Sequence, residues 1–173
     1  MGVLGPAISA LAVLLGVVLG GWLTIRNQER QWHRDHQREW RDIRLSTYNE
    51  FASAYRQYVA FALEPTALIS AVPHPEAPDE LMPFFDEAGR PYKERLESAW
   101  VALRIVCKSE QTVATGLQIL TAARQVAAAR ANHGANEIPP KLFQQLWTAQ
   151  DEFIAATRVE LGVEAVRPFN ELE

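Results

Sequence analysis

Cysteine is almost missing from this chain: Cys107 stands alone among 173 residues. That excludes an intramolecular disulfide and any site built from two thiolates of one chain. Next to Val106 in an apolar stretch, Cys107 reads as a small buried hydrophobe rather than a nucleophile. Histidine is scarce as well, with four residues, and the Glu-x-x-His pairs that hold a diiron centre in a helical bundle do not occur. The carboxylates are scattered over what should be outer helix faces. No convergent acid, base or nucleophile marks an enzyme, and no cofactor or metal is expected.

Charge of either sign is missing from the first 25 residues. Pro6 to Ile25 makes 20 residues, and at about 1.5 Å per residue such a helix covers about 30 Å of hydrocarbon. The segment predicts a transmembrane anchor over 1–25. A cleaved signal would need a basic start and small residues at its end, whereas Trp22 and Leu23 close this one. Trp22 and the following Arg26, Arg30 and Arg34 are placed to meet the membrane interface. Six Arg follow the apolar run between 26 and 44 and no basic side chain precedes it. By the positive-inside rule the N-terminus lies outside and the remaining chain is cytoplasmic, in the cell membrane. Within the anchor, Ala12, Gly16, Gly20 and Thr24 form a ridge of small side chains suited to a second helix.

Pro and Gly are both missing from Thr24 to Leu63, which predicts one long helix: a basic stalk over 26–44, then the first helix of a domain. Trp32, Trp40, Ile43, Thr47, Phe51, Tyr55, Tyr58 and Ala62 recur at helical spacing as its apolar stripe. Arg26, Arg30, Arg34 and Arg38 line one side of the stalk, where anionic headgroups attract each by about 1 kcal/mol within a Debye length of about 10 Å. His33 and His36 stand three apart, but two ligands among arginines fall short of a zinc site. The stalk carries a net +2 and residues 45–173 a net −6, a balance that speaks against nucleic acid as a partner.

What remains is enough for one cooperative core. The predicted fold class is all-α, an antiparallel four-helix bundle over 45–162 with a Pro-rich loop at 64–91 and a tail at 163–173. Six prolines between 65 and 91 break any long helix, and no segment alternates as a strand would. A second helix is expected from about Pro91 to Cys107, with Leu96, Trp100, Leu103 and Val106 inward. A third begins after an N-cap at Ser109 and carries Val113, Leu117, Leu120, Ala123 and Ala127, with Gly116 as a point of close packing. A fourth runs from about Pro140 to Gly162 with Phe143, Leu146, Trp147, Phe153, Ile154 and Leu161. Glu50, Glu152 and Arg158 are candidates for a buried polar network.

The order of parts, with Leu45-Ser46-Thr47-Tyr48-Asn49-Glu50-Phe51, Ala99-Trp100-Val101-Ala102-Leu103-Arg104-Ile105-Val106 and the run from Glu152 to Gly162, resembles a group of actinobacterial single-pass membrane proteins of uncharacterised activity. The resemblance implies an N-terminal anchor with a cytoplasmic helical bundle and carries no activity. The expected function is a membrane-anchored interaction or scaffold module. It would touch the bilayer, associate with itself through anchor or stalk, and bind another protein through the bundle or the loop. The alternative is an anchored sensor or regulatory subunit in which His33 and His36 respond to pH.

Overall fold

The computed structural model describes residues 32, 36–75, 77–134 and 137–163. They belong to two compact units, Met1–Asp42 and Ile43–Glu173. The anchor expected at 1–25, its ridge Ala12, Gly16, Gly20 and Thr24, and the interface residues Trp22, Arg26, Arg30 and Arg34 lie outside the described residues. So do His33 and all of the tail except Val163. Among the described residues no helix is long and apolar enough to cross a membrane.

In the first unit, Trp32 and residues 36–42 are helical. The His36 ring stacks on Trp32 with centroids 5.5 Å apart, and Trp40 donates its indole N–H to His36 Nε2 over 3.0 Å. Trp32 is 67% exposed, so this end of the expected apolar stripe is not core.

The second unit is mostly helical. Helix α1 covers 43–62, followed by strands β1 (Ile69–His74) and β2 (Ala77–Phe85), then α2 (Arg90–Val106), α3 (Glu110–Arg130) and α4 (Pro140–Glu160). Each helix boundary has a local cause. Pro91 and Pro140 occupy first-turn positions, where a missing N–H costs nothing. Ser109 caps α3 by accepting from Thr112 N–H over 3.3 Å. Gly162, at φ 67°, turns the chain out of α4 with Val163 N–H bonded back to Arg158 O at 2.9 Å.

The core is one cluster to which all four helices contribute. Phe51, Tyr55, Tyr58 and Ala62 of α1 meet Leu96 and Leu103 of α2, Ile119, Ala123 and Val126 of α3, and Leu146 and Phe153 of α4. Alanine on α3 lets its neighbours approach closely. Gly116 does the same for α2, since a Cβ there would stand 3.0 Å from the Trp100 ring.

The expectation of an all-α domain with an irregular loop at 64–91 is corrected by β1 and β2. They pair antiparallel, with Ile69 opposite Phe85 and Pro73 opposite Leu81. The prolines argued against strands because a proline cannot donate to a ladder. A two-stranded ribbon consists only of edges, so proline N positions can face outward without a lost bond. The ribbon is held by its aromatics: Phe85 packs on Tyr58 and Phe61 of α1 with centroids 4.9 and 5.8 Å apart. Gly89 closes the connection to α2 beneath the same rings, and a Cβ on it would lie 2.5 Å from Phe61 and 2.6 Å from Phe85.

Gly89→Ala should therefore destabilise the domain by about 1–3 kcal/mol through overpacking, because the clash is with two packed rings rather than with a flexible side chain. Denaturant titration of the two proteins measures the difference. Unchanged midpoints would show that the ribbon does not press on α1.

Candidate functional site

Two places on the second unit combine shape with polar chemistry. The first is the end of the bundle where α2 ends, α3 begins and α4 ends beside Arg44 and Tyr48 of α1. Here Glu160 of α4 accepts from Lys108 N–H at 2.9 Å and from the Cys107 thiol at 3.3 Å, and Arg44 of α1 approaches it at 3.7 Å. The Tyr48 hydroxyl lies 3.4 Å from the same sulfur. The Glu160 side chain is only 5% exposed. Burial pushes its carboxyl upward, but the donor groups around it, the Lys108 N–H, the Thr112 and Tyr48 hydroxyls and the Cys107 thiol, outweigh that and hold it below the ordinary carboxylate value. The Thr112 hydroxyl is buried with no hydrogen bond of good geometry, and it faces this carboxylate.

The same surroundings act oppositely on the neighbours. Burial raises the Cys107 thiol, and Glu160 adds to the rise. Burial likewise raises Tyr48, helped by Cys107 and Glu160. A thiol kept protonated beside a carboxylate is a poor nucleophile. The cluster is thus a staple that joins three helix ends to α1 through one buried anion.

The second place is a groove of about 680 Å³ between α3 and α4. Its floor is Ala122 and Ala149, each 6% exposed, and Leu117 stands half-exposed at its rim. Thr121, Gln145 and Thr148 supply neutral polar groups along the walls, while Lys141 and Glu152 lie near its two ends. The trough exists because α3 presents alanine and threonine where larger side chains would fill the space between two helices. The ionisable side chains of this lining are Lys141 and Glu152, about three turns apart on α4, and the rest is neutral. Its chemistry is that of a docking surface, with apolar depth and amide hydrogen bonds at the sides.

The structure redistributes several residues singled out from sequence. Glu50 does not enter a buried network with Glu152 and Arg158; it accepts from Arg95 of α2 at 2.8 and 3.2 Å, with both side chains about half-exposed. Glu152 is exposed in the groove instead. Leu117, Trp147 and Ile154, expected inward, are 50%, 60% and 43% exposed. The Tyr48–Cys107–Glu160 cluster was missed, although Glu160 followed two residues later by Gly162 signals a helix end able to reach another terminus. Comparison with protein-family models, curated proteins and solved structures finds no match to this chain.

Glu160 sets an acid limit on stability. A carboxylate with a depressed folded value contributes fully above its unfolded value of about 4.5 and loses that contribution as pH falls through the lower folded value. Glu160→Gln should lower stability at pH 7 by about 1–3 kcal/mol and flatten the decline between pH 5 and 3, as read by thermal unfolding across pH. In the same variant Cys107 should react faster with iodoacetamide at pH 8. An unchanged rate and an unchanged acid limb would dismiss the cluster as a coupled unit.

Proposed function

We propose that this chain is a membrane-anchored helical interaction module without catalytic chemistry, in which residues 1–25 span the cell membrane and an antiparallel four-helix bundle with a β-hairpin works on the cytoplasmic side. The observation that carries the reading is the α3–α4 groove: it has the volume and apolar floor of a docking site, and its two ionisable side chains, Lys141 and Glu152, stand near opposite ends. The uncharged 20-residue stretch from Pro6 to Ile25 supports the anchor, and the arginines from Arg26 onward support both orientation and contact with anionic headgroups. The small ridge Ala12, Gly16, Gly20 and Thr24 supports close approach of a second anchor. The likeness to actinobacterial single-pass proteins points the same way.

Two measurements test this reading. The full chain should sediment with membranes and resist alkaline carbonate, and deletion of residues 1–25 should release it; a full chain recovered in the soluble fraction would refute the anchor. A photoreactive side chain at Thr148 should crosslink a protein in cells, whereas one at exposed Glu87, in the turn between β2 and α2, should not. Leu117→Asp should abolish the Thr148 product. Equal products at both positions would remove the groove as the docking face.

A further inference from the structure

We propose that the occupant of the α3–α4 groove is the same groove of a second copy of this chain, the two related by a two-fold axis that pairs Lys141 of each with Glu152 of the other. This rests on reading the groove as a docking face and names its partner. The α4 contribution to the lining runs Lys141, Gln144, Gln145, Thr148, Ala149 and Glu152. When a second α4 is laid antiparallel across the first about a point between Leu146 and Trp147, Gln145 faces Thr148 and Gln144 faces Ala149. Lys141 then faces Glu152.

Helical spacing alone makes the steric pattern reversible. The charges are the informative part. Two like charges at the ends of this face would repel in an antiparallel pair, and two opposite charges attract. Lys141 and Glu152 have opposite signs, lie about three turns apart, and are both exposed. Everything between them in the lining is neutral.

The electrostatic setting favours this face. Residues 45–173 carry a net −6, so most pairings of two such domains bring like charge together. The groove lining holds one lysine and one glutamate and is locally neutral. Ala122 and Ala149 on the floor leave a depression, and Leu117 at the rim provides an apolar side chain to enter it. A two-fold interface needs such self-complementarity, a projection and a recess on the same surface.

The test uses the full chain reconstituted in lipid vesicles, with Cys107→Ser removing the native thiol and Gln145→Cys placing one beside the proposed axis. A short bis-maleimide should join two copies. Lys141→Glu alone, or Glu152→Lys alone, should weaken the pairing about tenfold, since each replaces two exposed attractions by two repulsions. An equal mixture of the two variants should recover crosslinking to the parent level, because each chain then meets opposite charge at both ends. Absence of the Gln145→Cys product, or a yield indifferent to both substitutions and to their mixture, overturns the proposal. A photoreactive Thr148 that crosslinks in cells only to a different protein also overturns it and leaves the docking reading standing. A Thr148 probe that captures neither a second copy nor another protein sinks both.

Discussion

Phe51 is the point on which the helical domain depends. Fully buried on α1, its ring lies 5.9 Å from Trp100 of α2 and 5.5 Å from Phe153 of α4. A single aromatic that touches three helices fixes their spacing at once, because a packed interior does not deform continuously. Trp100 in turn sits against Gly116, which brings α3 into the same arrangement. The neighbouring Tyr55 hydroxyl donates to Gln150 of α4, so the apolar contact acquires a polar register mark one turn away. On the other side Tyr58 receives the hairpin through Phe85.

Packing around Phe51 sets the distance between helices but not how far each slides along its axis. That is the role of the cluster at Glu160. Its carboxylate accepts from the backbone just before α3, where unsatisfied N–H groups and the helix dipole favour an anion. Arg44 of α1 and Cys107 at the end of α2 converge on it. A buried charge left without these partners would be costly, so the three helix ends and Arg44 of α1 must arrive together. The two devices are complementary: one is apolar and central, the other polar and terminal.

Much of this was legible in the residues, and the boundary of legibility has physical causes. Helices α2, α3 and α4 were readable because their stops and starts are local chemistry: Pro91, Ser109, Pro140 and Gly162 act within a few residues of themselves. The inward faces were only partly readable. Leu117 and Ile154 have the right spacing for the core, yet helical periodicity accepts two adjacent stripes and only tertiary packing selects between them. The hairpin was illegible because its prolines forbid a central strand, and nothing local announces that a ribbon will have no third strand. The groove was illegible for a different reason. It is a property of two helices separated by nine residues of chain, formed largely by side chains that are small or neutral, and such residues leave no mark in a hydrophobic pattern.

The groove's modest chemistry would suit the anchored chain proposed above. A docking face made of alanine, threonine and glutamine, with one charge near each end, supplies few of the buried aromatic or arginine anchors that make protein contacts tight in free solution. Confinement to a membrane changes the requirement. Two chains tethered in one bilayer meet in a thin layer rather than in bulk volume, and effective concentration rises accordingly, as it does for linked binding sites. On that reading a weak and reversible contact would be sufficient for pairing on the membrane and insufficient once the anchor is removed. The same domain with a large aromatic patch would associate whether tethered or not. The small side chains that make the groove inconspicuous are those that would keep its pairing conditional on the anchor.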